Sequence, residues 1–114
     1  MKKIFKILFP ALLIFHFSCK NEKKEQNMFN PSKMVEIMTD IHIVEAILSD
    51  KQKNGIKTDS FANIYYSEIF TKYKISKKQL DENLNYYTSN PLEFGKIYDS
   101  IIEKLSKSQK DIKQ

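Results

Sequence analysis

The chain contains no arginine, a single cysteine and only two glycines among 114 residues, and each shortage removes a class of function. Arginine's rigid fork is the usual reader of phosphate and of guanine edges, so its absence argues against nucleic-acid binding. The lysines do not compensate, because acids are interspersed with them as on a solvated surface. A lone Cys19 leaves no internal disulfide. With Gly55 and Gly95 alone there is no glycine-rich phosphate loop, and the G-x-S-x-G nucleophile elbow is missing. Long apolar runs are lacking too. The longest, Ile7 to Phe15, falls short of the ~20 residues a bilayer span needs, and Pro10 interrupts it. No stretch shows the sustained period-two alternation of a strand.

What is present starts with an N-terminal targeting pattern. Lys2, Lys3 and Lys6 precede the apolar run, no acid occurs before Glu22, and Cys19 closes the run at the edge of a lysine- and glutamate-rich stretch. These are the n-region, h-region and processing site of a secretory signal peptide. An export signal ending on one cysteine resembles a bacterial lipoprotein. The resemblance implies that residues 1–18 are removed and that Cys19 is lipidated, with acyl chains such as palmitate. It also implies that the protein is held outside the cytoplasm on a membrane, the outer membrane being expected. Ser18 suits the lipoprotein box, whereas His16 and Phe17 depart from its usual aliphatic start, as in the looser boxes of the Bacteroidota. The bland alternative is an uncleaved signal anchor or a plain secreted chain. Three of the 19 lysines leave with residues 1–18, so 16 lysines then face 14 acids and the formal charge falls from +5 to +2. The 96 residues left of 114 suffice for one small domain.

Residues 19–30, with the charged stretch KNEKKEQN (Lys20 to Asn27), read as a flexible polar tether. The helical domain is expected over residues 31–107, followed by a frayed tail at 108–114. Ser32 is a plausible N-cap for a first helix whose Met34, Ile37, Met38, Ile41, Val44 and Leu48 share a face, and Asn54-Gly55 is its stop. A second helix begins near Asp59 and carries Ala62, Tyr65, Tyr66, Ile69, Phe70 and Tyr73 in a broad arc. Ser76-x-x-Gln79 is a capping box, with Ile75 able to staple onto Leu80, and opens a third helix with Leu80, Leu84 and Tyr87 inward. Asn90-Pro91-x-Glu93 repeats that logic for a fourth, which lines up Phe94, Ile97, Tyr98, Ile101 and Leu105. The fold class is therefore all-α, a small bundle of about four helices, and the short connections favour antiparallel neighbours.

The runs MVEIMTDIHIVEAIL (Met34 to Leu48), YSEIFTKYKIS (Tyr66 to Ser76), LNYYTSNP (Leu84 to Pro91) and IYDSIIEKL (Ile97 to Leu105) stand in a characteristic order. In that order and spacing the chain resembles a family of small Bacteroidota lipoproteins known as domain of unknown function 4296. The resemblance covers about Pro31 to Leu105. It implies an envelope location and an all-helical fold, and it supplies no catalytic site.

Reactive constellations are scarce. His16 leaves with the signal, so His42 is the one histidine of the processed chain. His42 and Glu45 form H-x-x-E, but a zinc or di-iron site needs three or four protein ligands, and no metal or other cofactor is expected. Asp81-Glu82 and Asp99 with Glu103 fall where helices show acids to water. Tyr65, Tyr66, Phe70, Tyr73, Tyr86 and Tyr87 could line a groove, although aromatics at helical spacing are more often core. Phe61 and Ile64 fall outside the main arc of the second helix. They are candidate contacts for a partner, or else a satellite cluster closed by the loop at Ile56. The resulting expectation is a membrane-tethered, non-enzymatic binding or assembly module with an envelope-protein partner. The alternative is an extracytoplasmic chaperone-like factor that holds unfolded clients; an enzyme is the least favoured.

Overall fold

A computed structural model describes residues 27–112. The signal peptide expected at residues 1–18, Cys19, most of the expected tether and the last two residues lie outside the described residues. Four helices follow in order among them: α1 (Pro31–Lys53), α2 (Asp59–Tyr73), α3 (Lys77–Thr88) and α4 (Pro91–Ile112), with no strand. The all-α fold read from the apolar spacing is thus the fold observed.

The helix ends are set by local chemistry. Asn30, not Ser32, caps α1: its side chain accepts the Lys33 N–H at 2.8 Å, and Pro31 takes the first helical position. Proline's fixed φ suits that position, and its missing N–H would have no partner there anyway. At the other end Gly55 adopts φ 74°, a left-handed conformation that glycine enters without a Cβ clash. The Gly55 and Ile56 N–H groups then return to the Gln52 and Lys51 carbonyls. The Ser76–Gln79 capping box forms in both directions, and the staple residues Ile75 and Leu80 are both buried. Asn90 departs from expectation. Its side-chain amide donates back to the Tyr86 carbonyl at 2.7 Å, so it serves the end of α3 rather than a capping box with Glu93.

Two boundaries differ from the sequence reading. The helical unit starts before residue 31: Phe29 is buried and joins the core, so residues 27–30 are docked and are not tether. Phe29 and Met34 occupy the two positions of a hydrophobic staple around the Asn30 cap, and burial of that ring favours docking. At the far end α4 continues beyond Lys107 to Ile112, with residues 106–112 exposed.

α1 is the hub. Met34, Ile37, Met38 and Ile41 are buried along it, with α2 on one flank (Ile69) and α4 on the other (Ile97, Ile101). Across the α1–α2 seam Asp40 accepts from Lys72 (2.7 Å) and from the Tyr73 hydroxyl (2.8 Å). α3 packs on α4 and not along α2, although a link of only three residues joins α2 to α3. The antiparallel pairing expected from that short link is therefore not what forms. Lys74 sits at φ 53°, and the Ile75 N–H turns back to the Phe70 carbonyl, ending α2 abruptly. Ser76 then starts α3 from extended backbone, and the chain turns a corner. A lysine in this conformation costs roughly 1 kcal/mol against glycine.

Candidate functional site

Because α2 and α3 diverge at that corner, an open groove of about 730 Å³ lies between them. Tyr66 and Phe70 line one wall, Ile75 the corner, and Leu80 and Gln79 the other wall, with Ser67, Thr71 and Asp81 at the rim. Tyr66 and Phe70 are half-buried, their rings 6.5 Å apart. Of the six aromatics that could have lined a groove, these two line this one, and Tyr65 lines a smaller one of about 300 Å³ beside Ile43 and Val44. Tyr87 is buried in the core, Tyr65 and Tyr73 are half-buried, and Tyr86 is exposed.

His42 lies outside that groove, half-buried on α1 beside α4. Its Nδ1 lies 3.5 Å from Glu45, its ring meets Tyr98 edge-on at 5.8 Å, and its Nε2 is buried without a hydrogen-bond partner. Burial pushes the Tyr66 hydroxyl above the usual tyrosine range, and the Glu45 carboxylate facing it pushes it further. No group of three or more His, Cys, Asp or Glu side chains stands together among the described residues. The arrangement offers apolar surface bordered by polar groups.

Phe61 and Ile64, the candidate contact residues, sit in different surroundings. Phe61 is half-buried, stacked on Tyr65 at 6.3 Å and covered by the Lys51 ammonium 4.5 Å from its ring centre. Ile64 is 54% exposed and points away from the core. Ile56 is itself exposed, so the cover over Phe61 comes from the last turn of α1 and not from the loop.

The most tightly built polar site was missed in the sequence. Asn83, fully buried on α3, accepts the Phe29 N–H at 2.6 Å and donates to the Asn27 carbonyl at 3.0 Å and the Gln79 carbonyl at 2.8 Å. One turn on, the Tyr87 hydroxyl donates to the Phe29 carbonyl at 2.5 Å. Burial, then Glu93 and Tyr86, push that hydroxyl upward, so it remains a donor at neutral pH. A signal was present: Asn83 falls with Leu80, Leu84 and Tyr87 on one helical face, where a polar residue calls for a partner.

A family profile described as Domain of unknown function (DUF4296) matches residues 26–111, so its unit includes the docked residues ahead of α1. The chain belongs to the DUF4296 family. No curated protein and no solved structure matches it. No described helix of this DUF4296 chain is long and apolar enough to cross a membrane.

Proposed function

We propose that this DUF4296 protein is a non-enzymatic binding module of the cell envelope, anchored to the outer membrane through a lipidated Cys19. The groove between α2 and α3 is the observation that supports binding. It is open, walled by Tyr66, Phe70, Ile75 and Leu80, and rimmed by groups that can orient a partner. The export pattern ending on Cys19 supports the anchor. A chaperone-like role draws support from half-exposed Ile43, Ile47 and Ile64, apolar surface that an unfolded client could meet.

Two measurements test the proposal. Cys19→Ala is expected to leave the membrane fraction, as a soluble or unprocessed form; a processed mutant that still sediments with membranes would refute the anchor. A photo-crosslinking residue placed at Ser67 or Thr71 in intact cells is expected to give one discrete adduct, and the same residue at Ser106 none. A broad ladder from the groove positions would favour the chaperone-like role. Absence of any adduct would remove the groove from the proposal.

A further inference from the structure

We propose that the outward face of α1 around Ile43 and Ile47 docks a second copy of this chain, through an antiparallel two-fold pairing of α1 with α1. The proposal stands apart from the α2–α3 groove, whose walls Tyr66 and Phe70 lie on another face of α2. Every buried residue of α1 falls at or before Ile41, although the segment that follows, HIVEAIL, is mostly apolar. Val44 packs against the core and Leu48 is half-buried. Ile43 and Ile47, one turn apart on the other side, are 40% and 41% exposed, with exposed Ala46 beside them. A helix that is apolar on opposite sides is one that is covered on both.

The shape of this face and its charges both select a second copy. Beside Ile43 lies the hollow of about 300 Å³, lined by Val44, Tyr65 and Ile69, with Glu68 and Lys72 on its border. Ile47 stands one turn further along α1, a knob next to a hole. A two-fold axis between Ile43 and Ile47 sets Ile47 of each copy over the hollow of the other, so a single patch is both knob and socket. Asp50 and Lys51 stand at the far end of the patch. Neither they nor Glu68 make an ion pair among the described residues. Antiparallel pairing brings Lys51 of the second copy to Glu68, and its Asp50 to Lys72, which is bonded to Asp40 yet 62% exposed. Symmetry makes each of these contacts twice. A parallel pairing would set every charge against its own kind.

The test uses the full chain in intact cells that carry a tagged and an untagged copy, with a photo-crosslinking residue in place of Ala46. An adduct of tagged with untagged chain is expected. The same residue at Gln52, exposed on the opposite side of α1, is expected to give none. Lys51→Glu in both copies, or Glu68→Lys in both, should reduce the adduct several-fold, because like charges then meet twice across the axis. A Lys51→Glu copy expressed with a Glu68→Lys copy should restore it to the parent level, since both contacts are again between opposite charges. Recovery in the mixture also shows that each variant folds. An adduct that neither variant reduces, or that the mixture fails to restore, would overturn the antiparallel pairing. A chain that crosslinks from Ala46 only to another protein, to a ladder of clients or to nothing would overturn the second copy as occupant. The groove positions Ser67 and Thr71 are read separately, so failure there is distinct from failure here.

Discussion

Asn83→Ala is expected to lower folding stability by about 2–4 kcal/mol, which for a domain of this size moves the thermal midpoint down by roughly 10–20 °C. The side chain has no exposure to water, and it satisfies one buried N–H and two carbonyls. Truncation leaves the Phe29 N–H without its acceptor, at a cost of about 1–3 kcal/mol, and opens a small void beside it. Asn83→Leu separates the two contributions, because leucine fills the volume and leaves the backbone groups unpaired. Stability of the leucine variant is expected to stay well below the parent. Urea unfolding followed by far-ultraviolet circular dichroism is the measurement, with the midpoint falling and the slope unchanged. A leucine variant as stable as the parent would show that packing, not main-chain pairing, holds residues 27–29.

Ile101→Ala should cost about 2–5 kcal/mol, whereas Ile102→Ala, one residue on, should cost under about 1 kcal/mol. Ile101 is 1% exposed and sits with Ile97 on the face of α4 that closes against α1, while Ile102 is 53% exposed. Among the described residues the buried apolar core comprises twelve side chains, so removing three carbons from one of them leaves few neighbours able to move in. Against a total stability of about 5 kcal/mol, the lower end for native domains, the loss at Ile101 would leave a measurable unfolded population at 25 °C. Equal losses at the two positions would mean that α4 does not face α1 as described.

Much of the fold was legible because helix ends are decided by a few adjacent residues. Asn54-Gly55 ends α1, and Ser76-x-x-Gln79 with Ile75 and Leu80 starts α3, through bonds that close within five residues. The all-helical class follows from spacing alone, since side chains three and four apart share a face. Family membership is likewise carried by the order of local runs, and the matched segment takes in nearly all of the described residues.

The start of the domain and the shape of the groove were decided by contacts that sequence periodicity does not encode. Asn30 and Ser32 were both competent caps for α1, and docking of Phe29 beside the core placed the cap at Asn30. Lys74 gives no local sign of a left-handed conformation; the packing of α2 on α1 and α3 on α4 holds it there. The candidate site shows the same division. The apolar residues of its walls were visible, but the groove exists only because two consecutive helices diverge. Asn83 and Tyr87 meet partners 54 to 58 residues away, and only the folded chain closes that separation. Local capping determined where the helices lie in the chain; burial of a small shared core determined which polar groups had to find each other across it.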